Sequence, residues 1–277
     1  MEDYKDFVGK NQAILERWKA KYPLKEQGKF AEDGIMNKGE ANLSKDGRVW
    51  RKSGDENDLW NTAPLRILFL TKDENIYDED IYVWDVRTET FHQKGIEYNL
   101  NIMSNSSFYR NEANILYGIL HTNADSMVCF HEFSHEDALK FSDKVVFARI
   151  NCKKDGGSGT ISDSELQNAI EKYFDNLKEQ IIELDADIII CCGHQQEKNV
   201  ILNTLYNIYP KEFQYINLGT GKGTGLHYNE KKNILAIDAY HLAYLTGGEE
   251  LRYYEVVGAY YEYLKQNPNF TNSHRNN

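Results

Sequence analysis

The stretch Leu177-Lys178-Glu179-Gln180-Ile181-Ile182-Glu183-Leu184-Asp185-Ala186-Asp187-Ile188-Ile189-Ile190-Cys191-Cys192-Gly193 passes from a helix pattern into a strand pattern, and the architecture follows from that change. Upstream, Ser162 and Glu165 form a capping box, which predicts a helix running to about Leu184. Ala186 to Cys192 reads as a strand without polar alternation, the pattern of a strand covered on both faces.

Working outward, the same alternation recurs. Pro64 starts a strand at Leu65-Arg66-Ile67-Leu68-Phe69-Leu70, and Asn105-Ser106-Ser107 offers caps for a helix over 108–121. Lys144 to Ile150 predicts a second strand, 194–208 a helix, Phe213–Leu218 and Asn233–Ala239 further strands, and 249–266 a last helix. Residues 3–21 carry Tyr4, Phe7, Val8, Ile14, Leu15 and Trp18 at helical spacing, ended by Pro23. A polar, glycine-bearing stretch then reaches to about residue 64, with Trp50 and Trp60 as anchors. Strands alternating with helices predict an α/β fold, a three-layer α/β/α sandwich around a central, mostly parallel four-stranded sheet. Residues 1–63 are expected to pack as an extension on a main body of 64–277.

Composition bounds the function. The 277 residues carry 32 Lys+Arg against 43 Asp+Glu, a net charge of -11, so diffuse positive charge cannot hold nucleic acid and any such contact is local. No apolar run approaches the roughly 20 residues of a membrane helix, and the amino terminus lacks the apolar segment of a signal peptide. Cys129, Cys152, Cys191 and Cys192 lack framework spacing and fit reduced thiols, so a soluble cytoplasmic protein is expected.

Parallel sheets place their sites beyond the carboxyl ends of their strands. That rule gathers Thr71-Lys72-Asp73-Glu74-Asn75, Asn151-Cys152-Lys153-Lys154, Gly193-His194-Gln195 and Tyr240-His241-Leu242-Ala243 at one edge. The glycine-rich stretches 155–159 and 219–225 do not match a phosphate-binding P-loop. His131 and His135 stand at i, i+4 without a carboxylate context, so no metal site is predicted.

In their order and spacing these motifs resemble the uracil-DNA glycosylase-like superfamily over about residues 64–266. The resemblance puts Asp73 on the water-orienting aspartate, Asn151 on the base-reading asparagine and His241 at the start of the closing His-Pro-Ser motif. It also puts Gly193 in the family's glycine loop, and Phe108 or Tyr109 on the aromatic that stacks on the base. Two departures matter. Leu242-Ala243 replaces Pro-Ser, which weakens the wedge and phosphate-pinching roles of that loop. Asn75 replaces the tyrosine that walls off the pyrimidine 5-position, which opens the pocket to larger substituents. The cysteines do not match the iron–sulfur relatives, so no cluster or other cofactor is expected.

Breaking an N-glycosidic bond builds positive charge on the sugar and negative charge on the base. A carboxylate suits the first and a hydrogen-bond donor the second, the roles given to Asp73 and His241. Asn151, carrying both donor and acceptor, suits a base edge. Lys72, Lys153, Lys154 and Lys198 are the local cations for DNA, and Lys222 lies near the same edge. The stretch 76–107 mixes Tyr77, Tyr82, Trp84 and Phe91 with Asp78, Glu79, Asp80 and Asp85, groups that suit a sugar better than a phosphate.

Each of these residues also has a plainer reading. Asp73 is then a strand-end turn residue, His241 a satisfied histidine, Asn151 a loop former, Phe108 and Tyr109 core, the lysines solvated and 76–107 a structural lid. The leading expectation is a monofunctional DNA glycosylase removing a bulky 5-substituted pyrimidine, such as glucosylated hydroxymethylcytosine in phage DNA, in anti-phage defence. The alternatives are a uracil or deaminated-base glycosylase of repair, a noncatalytic DNA- or partner-binding module on the same fold, and a small-molecule nucleoside hydrolase.

Overall fold

A computed structural model of the chain describes residues 4–43, 49–72, 85–88, 106–156, 161–195, 198–217, 225–244 and 246–270. Four parallel strands form the centre of its main sheet: β4 (Ile67–Thr71), β5 (Ala148–Asn151), β6 (Ile188–Gln195) and β10 (Ile234–Tyr240). Their order is β5-β4-β6-β10. Three further strands widen the sheet. β1 (Gly34–Ile35) pairs antiparallel with β5, β9 (Leu226–Asn229) antiparallel with β10, and β8 (Phe213–Ile216) antiparallel with β9.

The α/β class stands, and the four-stranded sheet is corrected to a mixed sheet of seven strands in the order β1-β5-β4-β6-β10-β9-β8, with the two-residue β7 (Lys198–Asn199) folded back on β6. β1 escapes sequence reading because two residues in a polar extension carry no period. A small hairpin in the extension, β2 (Ala41–Leu43) with β3 (Val49–Arg51), stands apart from this sheet.

Side chains alternate between two cores. Leu68, Leu70, Ala148, Ile150, Ile189, Cys191 and Ala236 face α1 (Phe7–Lys19), α5 (Asp163–Lys172), α6 (Phe174–Leu184) and α7 (Val200–Ile208). Ile67, Phe69, Phe147, Ile190, Leu235 and Ile237 face α3 (Ser107–His121), α4 (His135–Ser142) and the carboxyl-terminal α8 (Gly248–Tyr253) and α9 (Ala259–Gln266), which a π-turn joins. The capping box is real: Ser162 accepts from the Glu165 amide and Glu165 reaches back to Ser162. The single long helix expected after it breaks at Tyr173 into α5 and α6.

The amino-terminal extension is wired into the sheet. α1 packs along α6, and Trp60 in α2 (Glu56–Thr62) is fully buried and donates to the Leu184 carbonyl at 2.9 Å. Gly34 adopts φ 130°, a left-handed conformation beside Asn11, and Asn11 donates to the Asp33 carbonyl at 2.8 Å. That turn aims the Asp33 carboxylate inward, where it accepts from the Asn151 amide at 2.8 Å and from Gln180 at 2.8 Å. It also holds the Lys154 ammonium, and neither side chain of that ion pair has solvent exposure.

Breaking a buried ion pair from one side leaves an uncompensated charge. Asp33→Ala should therefore cost about 3–5 kcal/mol of stability in urea unfolding, and adding Lys154→Met should recover most of the loss. A near-neutral Asp33→Ala would mean that the network does not anchor the extension.

Candidate functional site

The carboxyl ends of β4 and β5 stand in register, with Thr71 opposite Asn151. The Thr71 hydroxyl donates to Asn151 Oδ1 at 2.5 Å, and the Asn151 amide is bound to Asp33. Side chain and backbone of Asn151 are thus both fixed, and the residue is 1% exposed. The ladder continues one residue further, where the Lys153 amide donates to the Lys72 carbonyl at 2.9 Å. Lys72 is itself buried, with its ammonium 3.5 Å from Asp163 Oδ1 at the start of α5.

His241 follows β10 directly. Its Nδ1 accepts from the Ala243 amide at 3.3 Å, which in the neutral ring leaves the hydrogen on Nε2. Burial, helped by the positive charge of Lys72, lowers its pKa from 6.5 to about 4, so the ring is neutral at physiological pH. The turn carrying His241 is held by α3, because buried Asn111 donates to the Leu242 carbonyl at 2.6 Å.

Phe108 and Tyr109, in the first turn of α3, meet edge to face at 5.3 Å between ring centroids. Phe108 also lies 5.9 Å from the His241 ring. Both rings lie over the Arg149 guanidinium, with its carbon 5.1 Å from Phe108 and 5.6 Å from Tyr109. Arg149 is fully buried and forks onto Glu112 of α3 at 2.8 and 2.6 Å. Phe108 and Tyr109 therefore cover a buried ion pair and also line the edge beside His241.

The structure brings together His241, Phe108, Tyr109, Lys72 and Asn151 at or beside the carboxyl edge. Asp73, Asn75, Asp78 and Asp80 lie outside the described residues, as does most of 76–107. The described Asp85 of that stretch forks onto Arg87 at 2.8 and 2.9 Å, an internal pairing.

Three expected DNA contacts are corrected or narrowed. Lys154 is a buried structural cation, under the Trp18 ring at 4.8 Å, and not a surface contact. Lys153 is half-buried and turned onto Asp155. Gly193 lies inside β6, not in a loop: the strand runs on to Gln195, folds back through β7, and α7 starts only at Val200. A β-carbon at Gly193 would come within 2.7 Å of Asn199 Oδ1 and 2.8 Å of Ile201, so glycine is there for close packing. Lys198 lies on β7, and its side chain is outside the description.

Arg149, Glu112 and Asn111 escaped sequence reasoning as site residues, and Thr71 was placed at the edge without its bond to Asn151. An arginine inside an apolar strand was the available signal for Arg149, since a buried charge demands a partner. A second imidazole was also missed: His227 on β9, whose Nδ1 stands 2.7 Å from the Tyr206 hydroxyl. It tethers α7 to β9. Burial raises the Cys152 thiol to about 12 and Cys191 and Cys192 well above their ordinary range, so these three are not nucleophiles at neutral pH. A cavity of about 510 Å³ opens against α1 and β3, with Arg51 and Arg87 in its walls, and of the residues singled out in the sequence as site candidates only Asp85 lines it. Among the described residues no group of His, Cys, Asp and Glu is placed to hold a metal, and no helix is long and apolar enough to cross a membrane.

Because the folded pKa of His241 lies below its unfolded value, its contribution to stability is present above about pH 6.5 and is lost as pH falls toward 4. NMR titration should place the His241 midpoint near 4, and the urea midpoint should fall across that window less in His241→Gln than in the wild type. A His241 midpoint near 6.5 would mean that the ring is not held in its neutral form.

No protein-family model, curated protein or solved structure matches this chain.

Proposed function

We propose that the chain is a monofunctional DNA glycosylase acting on a modified pyrimidine. The observation that carries this reading is His241: an imidazole whose Nδ1 accepts from the Ala243 amide, against an aromatic ring, at the sheet edge that also ends in Asn151.

In this reaction the bond between the sugar C1′ and the base nitrogen breaks, and its electron pair leaves with the base. His241 Nε2–H donates to the base oxygen on which negative charge develops. Asp73, in the role the glycosylase resemblance gives it, faces the cationic sugar and orients a water, whose hydroxyl bonds to C1′ and whose other proton ends on the departed base anion. Asn151 presents its amide to the flipped base, and Phe108 or Tyr109 stacks on it. Asn75 leaves room at the pyrimidine 5-position, where the aromatic and acidic residues of 76–107 meet the hydroxyls of a hexose. Uracil and glucosylated hydroxymethylcytosine differ at C4 as well as at C5, so the released base identifies the role.

One observation favours a second reading. Lys154 and Lys72 are buried, so the cationic surface available to a DNA backbone is smaller than the sequence suggests. A hydrolase of free modified nucleosides keeps the chemistry and needs no such surface.

Plain, uracil-containing, hydroxymethylated and glucosylated DNA, and the matching nucleosides, should be treated with the protein and the products identified by mass. Release of a glucosylated base from polymer and not from nucleoside is expected. His241→Ala should slow that release by about 10²–10³, the scale for losing one such donor. Efficient release of uracil alone would replace this reading with repair, release only from nucleosides would replace it with the hydrolase, and no release from any substrate would leave a binding module.

A further inference from the structure

We propose that Tyr244, stacked on Tyr240 at the His241 turn, is the platform for the base next to the excised one, and that the protein takes its DNA as an unpaired strand. The inference rests on the glycosylase reading and adds a binding residue and a strand form to it.

The turn places the ring. β10 ends at Tyr240 and the chain reverses at once, with the Tyr244 amide donating to the His241 carbonyl at 2.8 Å. A hydrogen-bonded turn holds its first and fourth residues within about 7 Å of each other. One nucleotide spans that gap once its neighbour is turned out of the stack. A base on Tyr244 is therefore the direct neighbour of a base that meets His241.

The ring is both braced and open. Tyr240 and Tyr244 stack with 5.0 Å between centroids and 8° between planes. The Arg252 guanidinium of α8 lies 4.1 Å from the Tyr240 ring centre and 5.4 Å from that of Tyr244. That guanidinium is itself fixed, by Glu255 and by the Thr246 carbonyl at 2.9 Å. Tyr244 is nevertheless 42% exposed. Of the large apolar side chains exposed among the described residues, it alone stands on the turn that carries His241. A ring already immobilised loses little further freedom when a base lies on it.

Charge leaves stacking as the main hold. At this edge Lys72 is paired with Asp163, Lys153 with Asp155, Lys154 with Asp33 and Arg252 with Glu255. The net charge of -11 adds no diffuse attraction for phosphate. Stacking on an aromatic ring needs no charge and accepts any base, because every base has a flat face. It does need a base free to leave its own stack. In a duplex that base is paired, and freeing it works against binding; in a single strand it is ready. A wedge driven into a duplex would ask the opposite of Tyr244, a side chain free to leave Tyr240.

The test is stopped-flow fluorescence anisotropy on the full chain, read before any base leaves. The probes are a labelled single strand carrying one glucosylated hydroxymethylcytosine, the same strand in a duplex, and single strands with an abasic nucleotide at either neighbour of that base. Wild type, Tyr244→Ala and Tyr244→Phe are compared at several salt concentrations. The wild type should bind the single strand at least about tenfold more tightly than the duplex. Tyr244→Ala should lose about tenfold or more on the single strand, the scale for removing one stacking ring, and Tyr244→Phe should lose little. The salt slope should be the same in all three, because no phosphate contact is removed. An abasic nucleotide at one of the two flanking positions should weaken the wild type as much and cost Tyr244→Ala nothing further. The abasic strands act on the wild type, so the platform is tested even if the alanine variant does not fold.

Duplex bound as tightly as single strand, flanking abasic nucleotides that cost the wild type nothing, or losses from Tyr244→Ala and the abasic nucleotide that add, overturns the platform and leaves the glycosylase to its own assay. A wild type that releases no base yet shows the coupled losses overturns the glycosylase and leaves a surface for single strands. Binding to no DNA overturns both.

Discussion

A guanidinium without access to water must be matched in charge and in geometry, and Arg149 sets that condition at the centre of this molecule. Its fork onto Glu112 ties β5 to α3 with two hydrogen bonds and no freedom of register. Once α3 is pinned there, its first turn can only lay Phe108 and Tyr109 over the same guanidinium, and its next residue, Asn111, reaches the Leu242 carbonyl. The His241 turn is thus placed by a helix whose own place is set by an ion pair. Replacing such a pair with apolar residues can leave stability unchanged, so its value here lies in specifying one arrangement of strand, helix and turn.

A second buried pair does the same from the other side. Asp33 and Lys154 join the amino-terminal extension to the segment after β5, and the carboxylate also takes the Asn151 amide. The extension therefore belongs to the same folded unit as the edge it supports, through β1, Trp60 and Asp33 together. Two residues apart on one strand, Arg149 and Asn151 are fixed by carboxylates 79 residues apart in the chain, Glu112 in a helix and Asp33 beside a glycine turn.

The legible part of this architecture was whatever repeats along the chain. Helix caps, continuous apolar strands and the rule for strand ends placed β4, β5, β6 and β10 and brought His241 and Asn151 near one edge, while Phe108 came only from the family resemblance. The illegible part was whatever depends on a partner distant in sequence. Glu112 and Arg149 are 37 residues apart, and Asp33 and Lys154 are 121 apart; no local pattern links them. β9 was missed because His227 and Asn229 interrupt its apolar residues and a glycine-rich tract precedes it. Gly193 was misplaced because glycine reads as a turn by default, whereas close packing against Asn199 and Ile201 keeps it inside a strand.

Burial also changes what charge means in this chain. A net charge of -11 excludes a diffuse hold on nucleic acid, and a search for lysines near the edge then finds apparent compensation. The fold divides those lysines by depth. Lys154 is consumed by Asp33 as a structural tie, Lys153 turns onto Asp155, and Lys72 is enclosed with its ammonium 3.5 Å from Asp163. A cation enclosed in this way contributes little to capture of a polyanion from solution, where salt screens it and water competes. It contributes most where water is excluded and charge appears only during bond breaking. The lysines of this edge therefore serve ion pairs of the fold itself before they can serve a polyanion in solution.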